Sequence, residues 1–179
     1  MIRAQNIYLT GYRCTGKTTV GRALADVLGL DFADADEVLV GEAGKDVASI
    51  VAEEGWEGFR DRESAVLKRL AEHGGLVVAT GGGVILRPQN TALMRETGCV
   101  VWLTAEPSVI RNRMGADSVT SSQRPSLTGQ DVLAEIEDVL SQRGPLYAAA
   151  AHVTIATDDL QVSEIVREIF ESAGQFHAG

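Results

Sequence analysis

Eight residues near the N-terminus, Gly11-Tyr12-Arg13-Cys14-Thr15-Gly16-Lys17-Thr18, have the spacing G-x-x-x-x-G-K-[ST]. They directly follow a short β-type run, Ile7-Tyr8-Leu9-Thr10, and open a helical pattern over residues 18–28. A strand, a glycine loop and a helix in that order form a phosphate cradle, because loop N–H groups and the positive end of the helix face the same anion. Lys17 is expected to reach β- and γ-phosphoryl oxygens, and the Thr18 hydroxyl to ligate Mg²⁺. The side chains of Tyr12, Arg13 and Cys14 are expected to point away from the phosphates.

The rest of the chain continues the rhythm. Short apolar runs at Phe32-Ala33-Asp34, Leu76-Val77-Val78-Ala79, Cys99-Val100-Val101-Trp102-Leu103 and Val153-Thr154-Ile155 alternate with helical patterns. Runs without inside/outside alternation are what a parallel sheet covered by helices on both faces requires. The expected fold is therefore α/β, with five parallel strands. Residues 46–72 read as two helices broken at Gly55, with Asp46 as N-cap and Trp56, Phe59, Val66, Leu67 and Leu70 on apolar positions. Pro88 and Pro107 suit first-turn positions of further helices. A polar stretch over 115–126 has no apolar periodicity and precedes a long helix expected over 131–143. The 179 residues suit one compact domain, with 174–179 as a loose tail.

The formal net charge of −9 argues against a nucleic-acid scaffold, which needs a broad basic surface. Anionic ligands must then be met by a few placed cations. Lys17, Lys45 and Lys68 are the only lysines, so a lysine inside a glycine loop stands out. Cys14 and Cys99 are too few for a disulfide framework. No leader pattern and no apolar run of about 20 residues is present, and a soluble, cytoplasmic monomer is expected.

Neither interior strand ends in the acidic residue by which motor-type NTPases hold Mg²⁺. Asp34-Ala35-Asp36 offers the acid instead. In an extended segment both carboxylates would point to one side, one toward Mg²⁺ and the other toward a substrate hydroxyl. Alternatively, Asp36 caps the next helix and Asp34 is a solvated turn residue. Gly81-Gly82-Gly83 suits either a flexible turn or a backbone passing close against a bound ring. Arg60, Arg124 and Arg143 could each be an anion contact or a solvated helix residue.

Taken in order, the phosphate loop, 32–36, Glu54-Gly55-Trp56-Glu57-Gly58-Phe59-Arg60 with Glu63, Thr80-Gly81-Gly82-Gly83, Arg124-Pro125-Ser126-Leu127, and Arg143 with Leu146-Tyr147 resemble the shikimate kinase family. The resemblance runs from residue 7 to about residue 170. It implies a small P-loop kinase related to nucleoside monophosphate kinases, using ATP and Mg²⁺ to phosphorylate the 3-hydroxyl of shikimate. Gly11, Cys14, Thr15, Gly16, Lys17, Thr18, Thr19, Arg113 and Arg124 would bind the nucleotide, with Arg113 near the adenine. Thr18 and Asp34 would hold the metal. Asp36, Arg60, Gly81, Gly82, Gly83 and Arg143 would bind the acceptor, the two arginines taking its carboxylate and Glu63 holding Arg60. Lys17, Asp36 and Arg124 would carry catalysis, and residues 115–126 would form a lid that excludes water.

Two positions depart from the family pattern. Thr157-Asp158-Asp159 is acidic where a polar or basic residue near the adenine is usual, and the lid has Arg124 as its only cation. Two other readings remain open: the same chemistry on a gluconate-type or nucleotide-type acceptor, and a nucleotide-binding regulatory domain without transfer. Arg60, Arg143 and Asp36 favour a carboxylated polyol over the first, and a pure binder would not need the acceptor carboxylate.

Overall fold

The computed structural model describes residues 5–116 and 132–173. Five strands form one sheet: β1 (Asn6–Thr10), β2 (Asp31–Asp34), β3 (Leu76–Ala79), β4 (Gly98–Thr104) and β5 (Val153–Ala156). Their order is β2-β3-β1-β4-β5, and every neighbouring pair is parallel. The helices among the described residues are α1 (Lys17–Leu28), α2 (Ala35–Ala43), α3 (Val47–His73), α4 (Pro88–Thr97), α5 (Pro107–Ala116), α6 (Val132–Ala150) and α7 (Val162–Ala173).

The unbroken apolar strands arise because both faces of the sheet are covered. Ile7, Leu9, Val77 and Val101 pack against Val20 and Leu24 of α1 and Ile165 and Ile169 of α7. Tyr8, Val78 and Val100, on the alternate positions, pack against Phe59, Val66 and Leu67 of α3, Met94 of α4 and Tyr147 of α6. A third, smaller cluster joins Tyr12 to Ile110 and Met114 of α5 and Ile136 and Val139 of α6. Parallel strands put all their C-terminal ends on one edge, so the connections after β1, β2 and β3 emerge together there.

The break at Gly55 falls where expected: its φ of 71° and ψ of 177° leave the helical region inside α3. Asp46 caps that helix, accepting a 2.8 Å bond from the Ser49 N–H. By contrast, α6 does not stop near Arg143 but runs on to Ala150. Gly144-Pro145 reads as a stop because proline cannot donate to the carbonyl four residues back. Burial of Tyr147 and Ala150 in the core outweighs that lost bond. α5 also runs through Gly115 and Ala116, so of the expected lid these two residues are helical, and residues 117–126 lie outside the described residues.

Candidate active site

The loop after β1 is shaped by crowding from the neighbouring strand. Gly11 has φ 139°, and a Cβ there would collide with the carbonyl oxygen of Leu103 at the end of β4. Gly16 (φ 96°) and Cys14 (φ 61°) also take left-handed backbone conformations. Thr15 Oγ1 donates to the Tyr12 carbonyl at 2.8 Å and ties the turn together. Lys17 Nζ donates to the carbonyls of Gly11 and Tyr12, at 2.8 Å each. The cleft so formed is lined by Cys14, Gly16, Lys17, Thr18, Thr19, Asp34 and Asp36, which gathers most of the expected nucleotide and metal residues.

The two aspartates differ from expectation in backbone, though not in place. Asp34 ends β2 and is itself the N-cap of α2. One of its carboxylate oxygens accepts from the N–H groups of Asp36 and Glu37, at 3.0 and 3.3 Å. Asp36 lies inside the first turn of α2, so it is neither an extended-segment partner of Asp34 nor the cap. The strand stops because Asp34 offers its side chain to the helix. The other Asp34 oxygen accepts a 2.7 Å bond from Thr18 Oγ1. A hydroxyl and one carboxylate are hard oxygen donors of the kind Mg²⁺ takes alongside water and phosphate. Among the described residues no group of three or more His, Cys, Asp or Glu converges as an all-protein metal cage, and Mg²⁺ needs none.

A second cavity opens beside the first. Its walls include Trp56, Phe59, Arg60 and Glu63 of α3, the Gly81-Gly82-Gly83 loop after β3, and Arg143 of α6. Arg60 is buried, its Nη1 donating to Glu63 Oε2 at 2.7 Å, with the guanidinium 5.6 Å from the Trp56 ring centre and 5.2 Å from that of Phe59. Burial pushes the Glu63 carboxyl above its ordinary range, against the pull of Arg60. Its Oε1 has no hydrogen-bond partner among the described residues. α6 holds the glycine loop, since Arg143 Nη1 donates to the Gly82 carbonyl at 3.2 Å and the Tyr147 hydroxyl donates to the same oxygen. Tyr147 stacks on Trp102, and burial pushes its hydroxyl up to about 12.

Tyr12 and Arg13, expected to be bland, line the second cavity, and Arg13 also lines the first. The middle of a glycine loop has no periodicity from which side-chain direction can be read. Arg113, expected near the adenine, donates to the Cys14 carbonyl at 3.3 Å and to Thr157 Oγ1 and carbonyl at 3.0 and 2.7 Å. It thus joins the phosphate loop to the β5–α7 connection. Asp158, one of the two unusual acids there, accepts from the Glu106 N–H at 2.7 Å and serves the start of α5. Arg124 lies outside the described residues.

A family model described as shikimate kinase matches residues 13–173. The chain belongs to the shikimate kinase family. The shikimate kinase of Nitratidesulfovibrio vulgaris is 48% identical over 163 residues, covering 91% of this chain and 92% of that one. That of Rhodopirellula baltica is 43% identical over 172 residues, covering 96% and 92%. The solved structure of shikimate kinase from Acinetobacter baumannii in complex with shikimate superposes with a TM-score of 0.90 at 34% identity, covering 98% of this chain and 96% of that one. Membership of the shikimate kinase family agrees with the five-stranded parallel sheet and its order. No helix among the described residues is long and apolar enough to cross a membrane.

Proposed function

We propose that this chain transfers the γ-phosphoryl group of ATP to the 3-hydroxyl of shikimate, giving shikimate 3-phosphate and ADP. The observation that carries the reading is the position of Asp36, which lines both the phosphate cleft and the arginine-lined cavity. A carboxylate at that junction can orient an acceptor hydroxyl toward the phosphoryl group and take its proton. Arg60 and Arg143 serve the acceptor carboxylate, because a guanidinium forks onto two carboxylate oxygens. The space beside Gly81 is taken up by the carboxylates of Glu63 and Asp36, so the polyol face of the ring meets acceptors of hydrogen bonds and the acid end meets donors.

On the nucleotide side, Lys17 leaves its two loop carbonyls for the phosphoryl oxygens, while loop N–H groups hold the β-phosphate. Thr18 and Asp34, joined by their 2.7 Å hydrogen bond, would hold Mg²⁺, which would supply charge neutralisation at the phosphates. Arg113 supports the adenine side by fixing the loop at Cys14, and Arg124, outside the described residues, would serve the phosphates as the family resemblance implies. Gly11, Thr15, Gly16 and Thr19 contribute backbone or hydroxyl contacts there. Two cysteines outside any disulfide fit a reducing cytoplasm, and the net charge of −9 fits a small anionic ligand rather than nucleic acid; the assembly we propose is a monomer.

Coupled ADP release tests the reading. Shikimate should stimulate release strongly, and gluconate and nucleoside monophosphates should not. Stimulation by either competitor in place of shikimate would overturn the acceptor assignment while leaving the nucleotide site intact.

A further inference from the structure

Among the described residues Arg13 and Asp36 line both cavities. The two face opposite needs. Asp36 is matched to a neutral hydroxyl that must lose a proton, whereas transfer leaves a dianionic phosphate in a space already walled by Asp36 and Glu63. Arg60 and Arg143 of the same cavity serve the acceptor carboxylate in the proposed function, so the new charge would be met by a further cation at the junction.

Arg13 is held for this place from two directions. Its Nη2 donates to Glu135 Oε1 at 2.5 Å, with side-chain exposures of 11% and 1%, and its Nε donates to the Tyr12 hydroxyl at 3.2 Å. Glu135 is in the first turn of α6 and Arg143 is two i→i+4 steps further along the same helix, so one helix sets both cations. Nη1 of Arg13 has no hydrogen-bond partner among the described residues, and its two N–H groups remain for a ligand.

We propose that Arg13, positioned by Glu135, binds the transferred phosphoryl group on the acceptor side and thereby favours the phosphorylated product over the unreacted acceptor. The inference rests on the proposed function. In the step concerned, the acceptor oxygen forms a bond to the γ-phosphorus as the bond from that phosphorus to the β–γ bridging oxygen breaks. The bonding pair leaves with ADP, and the hydroxyl proton passes to Asp36. Arg13 exchanges no proton; it supplies two charge-assisted donors to the equatorial oxygens as they cross from Lys17 to the acceptor.

The test compares Arg13→Met, Arg13→Lys and Glu135→Gln in the full chain. Calorimetry would give dissociation constants for shikimate and for shikimate 3-phosphate, and coupled assays would give turnover. Arg13→Met should weaken the phosphorylated ligand roughly 10- to 100-fold, the size of a lost charge-assisted contact, and should change shikimate binding far less. Turnover should fall by a similar factor, Arg13→Lys should restore part of it, and Glu135→Gln should shift the same ratio in the same direction by less. If Arg13→Met leaves the ratio of the two dissociation constants unchanged, the pair only ties the loop to α6 and the proposal is wrong. Should Arg13→Met fail to fold because the buried Glu135 loses its ion pair with Arg13, the double variant Arg13→Met, Glu135→Gln removes both charges and gives the same readout. A parent that turns over shikimate with an unchanged ratio in the variant sinks this inference alone. A parent that does not turn over shikimate sinks the functional reading with it.

Discussion

Gly83 gives up its side chain to Arg60: a Cβ built on Gly83 would fall inside the guanidinium of that arginine. Arg60 is meanwhile gripped from the other side by Glu63 and by the rings of Trp56 and Phe59. The glycine is needed for a close approach and not for an unusual backbone angle, since its φ is −105°. Gly83→Ala should therefore displace the arginine and weaken acceptor binding while leaving ATP affinity near that of the parent. Calorimetry with each ligand separates the two, and an unaltered acceptor affinity would show that Arg60 does not serve the acceptor.

Truncating the cations directly should agree. Arg60→Ala and Arg143→Ala should each cost about 1.5–3 kcal/mol of acceptor binding, the usual worth of a hydrogen bond to a charged group. Arg143→Ala should also loosen the glycine loop, because Gly82 loses one of its two donors. If both variants bind shikimate as tightly as the parent, the carboxylate clamp lies elsewhere.

Lys17→Ala should abolish transfer and leave the melting temperature nearly unchanged. The ammonium holds two loop carbonyls but adds nothing to the three apolar clusters. Near-normal turnover in a folded variant would remove the phosphate-loop assignment.

The two aspartates should part in a magnesium titration. Asp34→Asn weakens the oxygen pair made with Thr18 and should raise the Mg²⁺ requirement, along with some loss of stability from the poorer cap of α2. Asp36→Asn should lower turnover by up to ~10²–10⁴-fold, the usual range for general-base help, and by less if the transition state is loose. ATP binding should survive. A metal defect in the second variant and none in the first would reverse the roles.

Glu63 makes the stability of the fold depend on pH. Burial raises its carboxyl in the folded state, so between the ordinary glutamate value and the raised one the folded chain holds more protons than the unfolded chain. Its contribution is complete below the ordinary value, about 4.3, and is lost as pH rises through the raised one. Glu63→Gln has no such loss, so its melting temperature should gain on the parent as pH rises from about 4 to 8. A difference that stays flat or shrinks over that interval would show that Arg60 fully compensates the buried charge.

Much of this site can be read from the chain because its parts are local. The phosphate loop, the Gly55 break and the cap at Asp46 depend on residues within one turn of each other, and their signals survive without tertiary context. Three features do not. α6 continues through Gly144-Pro145 because Tyr147 is buried against β4 and the glycine loop, a long-range reward that local stop signals cannot show. Asp36 belongs to a helix because Asp34 turns its carboxylate back onto two N–H groups, and either aspartate could have been the cap by composition. Arg13 becomes a wall of both cavities only through Glu135, 122 residues away.

The register of β1 against β3 has a consequence for the reaction's geometry. Leu9 pairs with Ala79, and the phosphate loop and the glycine loop each begin two residues later, at Gly11 and Gly81. Thr80 prolongs the ladder by donating its N–H to the Leu9 carbonyl at 3.0 Å, and a Cβ on Gly82 would stand only 3.4 Å from the Gly11 carbonyl oxygen. The two loops therefore leave adjacent strands of one sheet, about 4.8 Å apart, and on the proposed assignment the backbone would set the separation between the nucleotide side and the acceptor side. Inserting one residue between Ala79 and Gly81 should shift the Gly81-Gly82-Gly83 loop by roughly 3.3 Å along the strand, and on the proposed assignment that would separate the acceptor from the phosphate cleft.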